Sequence, residues 1–283
     1  MNSRNGQYWY TSRPPLTAGV FRGVGEEEIR VKKQGLWVLA GALMMAASGA
    51  QAAFSATELA MMEADAWRAR MGFHLLSIRG DNPEDRDALR QLLEGGERRV
   101  AELKGQAEGR WVSQASSFGQ AWNELSRRAL DNPLASLGYA DYGAMSEMNT
   151  TTLAVAELAE QAEAGSKDKY LDVADLSVSM QRLASEYLAL AAFPSAGLPT
   201  GTGLPPMDFA IEAKGIDDQL TTLKGRYADD AQASEVLAFV EQRWVFVRNT
   251  IPRMNENDAN KVPYLFYRYA SQVAERVEEL VAP

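Results

Sequence analysis

From Phe54 onward, apolar residues return every third or fourth position and almost never alternate. That period places them on one face of a helix and leaves no strand able to bury a face. Leu59, Met62, Ala66, Ala69, Phe73 and Leu76 form the first such stripe, on a helix expected over 55–79. Asp81-Asn82-Pro83 ends it, and Pro83 suits the first turn of the next helix. Leu89, Leu92, Leu93, Val100 and Leu103 then mark a helix that stops near Gly105 or Gly109. Trp122, Leu125 and Ala129 mark a third, over 112–130, before Asp131-Asn132-Pro133 repeats the break. The alanine-rich stretch 138–164 is expected to be helical from Met148, with Gly165 closing it.

The second half follows the same plan. Leu176, Met180, Leu183, Tyr187 and Leu190 lie on a helix over 169–192, and the Gly/Pro/Thr-rich loop from Pro194 to Pro206 follows. Three further stripes begin at Phe209, Val236 and Val262. Seven or eight long amphipathic helices imply an all-α, elongated helical bundle. The halves also align: Arg68-Ala69-Arg70-Met71 matches Met180-Gln181-Arg182-Leu183, and Ala121-Trp122 matches Arg243-Trp244. Two related halves are therefore expected, 53–166 and 167–283, packed as two four-helix units or as one pseudo-symmetric bundle.

Residues 31–52 are of another kind. Lys32 and Lys33 precede an apolar run from Leu36 to Ala47, and Ala50 and Ala52 supply the small side chains of a cleavage site. A run of about 12 residues is too short to span a bilayer core, so it reads as a signal peptide cleaved after Ala52. Residues 1–30, with Glu26-Glu27-Glu28 ahead of the basic pair, read as an extension upstream of a start near Val31 or as part of a long signal. The expected location is the periplasm, with no membrane span in the mature chain.

Of 29 basic and 38 acidic side chains, six and three lie in residues 1–52, so the remainder carries 23 against 35 and a formal charge of −12. Such a balance opposes nucleic acid as a partner. The chain has no cysteine, which rules out thiolate nucleophiles and thiolate metal sites. Its single histidine, His74, sits beside the first stripe and reads as ordinary; one histidine builds no histidine metal cluster. Carboxylate pairs such as Glu157/Glu160 and Glu278/Glu279 read as a solvated face. No metal, no cofactor and no catalytic residue is expected, and the chain is not read as an enzyme.

The candidate binding residues are arginines beside apolar stripes. Arg68, Arg70 and Arg182 can snorkel to water, or reach between helices as a fork for a carboxylate or other anion. Trp122 and Trp244 read as core fillers or as walls of such a site, and Trp111 is similarly open.

These residues carry a resemblance. Met180-Gln181-Arg182-Leu183-Ala184-Ser185-Glu186-Tyr187 is similar to the R-Q-R-M-L-S-Q-R helix of the periplasmic sensor domain at the N-terminus of type IV pili methyl-accepting chemotaxis transducers (PilJ-like). That family shades into the sensor domains of nitrate/nitrite histidine kinases. Glu241 to Arg248 resembles its later W-x-x-x-R helix, and Arg68, Arg70 and Met71 resemble the same motif in the first half. Met180, Glu186 and Tyr187 depart from the pattern. The resemblance covers 170–281 well and 55–130 faintly. It implies a sensor-like binding module whose ligand-binding residues are Arg68, Arg70, Gln181, Arg182, Ser185, Trp244 and Arg248. It also implies a small anionic ligand and a membrane receptor, pilus or other envelope protein as partner. A structural adaptor of the envelope and a chaperone-like periplasmic protein are the alternatives.

Overall fold

The computed structural model describes residues 54–137, 141–162, 168–192, 207–251 and 262–282. The expected signal segment, Gly165 and the 194–206 loop lie outside them. Nine helices account for nearly all described residues: α1 Ala56–Arg79, α2 Pro83–Gln106, α3 Trp111–Leu130, α4 Pro133–Leu137, α5 Tyr142–Gln161, α6 Leu171–Ala192, α7 Phe209–Arg226, α8 Ala231–Arg248 and α9 Pro263–Val281. The all-α reading of the sequence holds for this part of the chain. None of these helices is long and apolar enough to cross a membrane.

Local chemistry sets the boundaries. Ser55 and Glu58 form a reciprocal capping box at the start of α1. Gly80 ends α1 in the left-handed conformation (φ 72°), where a side chain would be strained, and its N–H donates to the Leu76 carbonyl. Asn82 then accepts from the N–H groups of Glu84 and Asp85, and Pro83 takes the first turn of α2. Asp208 and Asp230 cap α7 and α8 in the same way. One boundary differs from expectation. α5 begins at Tyr142 rather than Met148, because Asp141 caps it by accepting from the Ala144 N–H. Of the six residues between, Tyr142-Gly143-Ala144-Met145-Ser146-Glu147, only Met145 continues the buried face of Met148 and Val155, so the apolar signal there is short.

Two apolar clusters fill the interior. One joins the expected α1 stripe (Leu59, Met62, Ala66, Ala69, Phe73, Leu76) to α2, α3 and α5. The other joins Ala60, Met61, Ala64, Met71 and Leu75, also of α1, to α6, α7, α8 and α9. α1 is therefore buried on both sides, and it packs against α2, α3, α4, α5, α6 and α9. It packs most extensively against α6, the helix that matches it in sequence. The described residues all belong to one compact unit, Ala46–Pro283.

Candidate functional site

Burying α1 on two sides forces several of its polar residues into the interior, where they must find partners. They do so in two places. The first is a closed layer between α1, α5 and α6. Arg70 is 2% exposed and donates from Nε to Asn149 Oδ1 (2.5 Å) and from Nη1 to Ser185 Oγ (2.8 Å). The same Nη1 pairs with Glu186 Oε1 at 3.1 Å. Burial lowers the pKa of the guanidinium and Glu186 pushes it back up. His74, one turn along, is fully buried and packs its ring edge-on to Phe73. The expectation that it merely flanks the stripe underestimated its burial, since α1 has a second buried face. Burial, and then the charge of Arg70, hold His74 well below its usual range and therefore neutral. Gln181 is fully buried and donates from Nε2 to the Ala270 carbonyl at 2.8 Å, tying α6 to α9.

The second place is open. α2 and α9 both rest on α1 and leave a groove of about 550 Å³ between them, floored by Asp65 and Arg68 of α1. Asp65 is 2% exposed and holds two arginines, one on each oxygen: Arg68 Nη1 on Oδ1 at 3.1 Å and Arg99 Nη2 on Oδ2 at 3.3 Å. From α9, Glu275 accepts from Arg68 at 3.0 Å and Glu278 from Arg99 at 2.6 Å. The Nε–H groups of Arg68 and Arg99 are buried and meet no acceptor among the described residues. Arg98 from α2 and Arg268 from α9 line the same groove and make no ion pair with a described residue. Tyr264 and Tyr267 add ring surface, and burial raises the pKa of Tyr267. A second hollow of about 350 Å³, sharing Gly95, Arg98, Arg99 and Glu278, continues towards Val281.

The sequence-derived candidates thus fall into separate places. Arg68 lies on the groove floor. Arg70, Ser185 and Gln181 belong to the interior, the first two bonded to each other. Arg182 is exposed and stands apart from both, which is the water-facing one of the two readings left open for it. Trp244 is buried and donates its indole N–H to Asp217 Oδ1 (2.6 Å), while Arg248 Nε meets the other oxygen at 2.9 Å. That pair locks α8 to α7. Trp122 does the like for α3 and α2, through the Leu93 carbonyl at 3.1 Å. Both tryptophans are core, and Trp111 is also buried, against Phe54.

Asp65, Arg98, Arg99, Arg268 and Glu275 were not candidates from sequence, and Glu278 was read only as part of a solvated face. A signal existed for Asp65: it stands between Ala64 and Ala66 in the apolar stretch of α1, where an ionised group must have a partner. Among the described residues no three His, Cys, Asp or Glu side chains are placed to hold a metal ion. Compared with protein-family models, curated proteins and solved structures, the chain matches none.

Proposed function

We propose that this chain is an exported, non-enzymatic, sensor-like binding module of the bacterial cell envelope, which takes a small anion in the α1/α2/α9 groove and presents it to a membrane- or pilus-associated protein. One observation carries the ligand part. Two guanidiniums are fixed on a single buried carboxylate at the floor of an open groove, with two further arginines above them. Fixed, planar and permanently charged forks are the donors best suited to carboxylates and other oxyanions. Their burial matters too, because electrostatic attraction is stronger where water is thin. The PilJ-like resemblance of α6 supports a sensor role. Its motif positions Gln181 and Ser185 secure α6 to α9 and α1, so the ligand reading rests on the groove. The signal-like segment 31–52 supports export.

The test is a thermal melt of the purified protein against a panel of inorganic anions, carboxylates and amino acids. A ligand present at 100 times its Kd stabilises by about 2.7 kcal/mol, which moves Tm by several degrees. No shift with any anion would remove the ligand part of the proposal.

A second reading, a structural adaptor, is favoured by the outer face of α8 and α9. Phe246 is 62% exposed there and stacks on Tyr269 (5.4 Å between centroids), with Val245 also exposed. On the sensor reading, this face is where the partner would sit.

A further inference from the structure

The groove already contains carboxylates: Asp65 on its floor, Glu84 and Asp85 of α2, and, reaching the floor arginines from α9, Glu275 and Glu278. Glu275 and Glu278 lie three residues apart on one helix face and reach Arg68 and Arg99 respectively. The two sides of these pairs differ in freedom. The side chains of Asp65, Arg68 and Arg99 are 3%, 10% and 16% exposed, whereas those of Glu275 and Glu278 are 60% and 43% exposed. The cations are thus held in place, and the glutamates lean on them from solvent. Ion pairs with so exposed a partner are weak and exchange readily.

Charge points the same way. Asp65 neutralises one of the two floor guanidiniums, leaving one positive charge that the two glutamates share. If they swing out, Arg68, Arg98, Arg99 and Arg268 are left with only Asp65, Glu84 and Asp85 in the groove lining, Asp85 being paired with Arg79, and the groove is positive. A single carboxylate could replace one glutamate only, leaving the other arginine as before. A molecule with two carboxylates replaces both, and can reach the buried Nε–H donors that the glutamates leave unmet.

We infer that the groove's ligand is a dicarboxylate, and that Glu275 and Glu278 are its internal competitors, occupying Arg68 and Arg99 until it displaces them. This rests on the reading of the groove as an anion site. Displacement would free α9 from both α1 and α2 at that point, which gives binding a structural consequence.

The test is calorimetric titration of the purified protein with succinate and glutarate, and with acetate as the monoanion. The dicarboxylates should bind at least tenfold more tightly than acetate. The double variant Glu275→Gln/Glu278→Gln should bind them at least threefold more tightly than the parent. Arg268→Gln, altering an exposed side chain, should weaken them about fivefold while the ligand-free Tm stays the same. Equal affinity for acetate and succinate, or no change in the double variant, overturns the inference but leaves an anion site standing. Failure of succinate and glutarate to bind either protein overturns the inference, and the anion site falls with it only if the inorganic-anion and amino-acid panel also gives no shift.

Discussion

Glu63→Gln is expected to make the protein more stable, and only at neutral and alkaline pH. Glu63 lies on α1, half-buried, and accepts a hydrogen bond from the Trp67 indole at 3.1 Å. Its carboxyl is pushed up from 4.5 to about 7, chiefly by burial. The Trp67 bond pulls it down, Glu160 of α5 and Asp175 of α6 push it up, and Arg182 of α6 pulls it down. A folded-state pKa above the unfolded one means that folding takes up a proton between those two values. Stability is therefore greatest below about 4.5, falls as pH rises to about 7, and is flat beyond. At about 1.36 kcal/mol per pH unit, the difference of about 2.5 units is worth up to about 3 kcal/mol. Partial exposure reduces that to about 1–3 kcal/mol. Glutamine is neutral throughout and keeps an oxygen for Trp67. Urea denaturation followed by tryptophan fluorescence should show the variant within about 0.5 kcal/mol of the parent at pH 4.5, and about 1–3 kcal/mol more stable at pH 8. An equal gain at both pH values, or a loss at pH 8, would refute the assignment of Glu63 as a carboxyl held out of its preferred state.

Two other substitutions test how the helices are locked. Gly96→Ala places a methyl 1.9 Å from a ring carbon of Trp122, which is itself fixed by its bond to Leu93; a loss of about 3 kcal/mol or more is expected in the same denaturation assay. Arg70→Met strands the buried Asn149 and Ser185 groups and leaves Glu186 unpaired. The expected loss is about 3–5 kcal/mol, and Tm measured by circular dichroism should fall correspondingly.

Much of the helical plan was legible because the apolar period and the caps agree. Ser55, Asn82 and Pro83 act at the boundaries that their types suggest. The start of α5 was missed because within 142–147 only Met145 carries its apolar face forward, and the Asp141 cap was not weighed. The site was far less legible. A stripe reports the face that a helix buries first, and α1 was read as having one. Its second stripe, Ala60, Met61, Ala64, Met71 and Leu75, is made partly of small residues and so looked like ordinary filler. Recognising it would have placed Asp65, Arg68, Arg70 and His74 inside. Arg70 and Arg182 illustrate the converse. They align in sequence, yet one is buried and the other exposed, because α1 has neighbours all round and α6 turns the Arg182 side outward.

The placement of charge on α1 argues for a role beyond stability. Ion pairs in a protein interior rarely out-perform well-packed apolar side chains, because dehydrating both partners offsets most of their attraction. α1 nevertheless buries Asp65, Arg68 and Arg70 along one short stretch. The Arg70 layer is closed, its donors taken up by Asn149, Ser185 and Glu186, which suits a device that fixes how α1, α5 and α6 pack. The Asp65 layer is built otherwise. It opens to a groove, it retains two unmet donors, and its outermost partners are the most exposed members of the set. A purely structural network would gain by placing acceptors on those donors. Leaving them unmet is costly in a ligand-free protein and favourable in one whose ligand brings the missing acceptors.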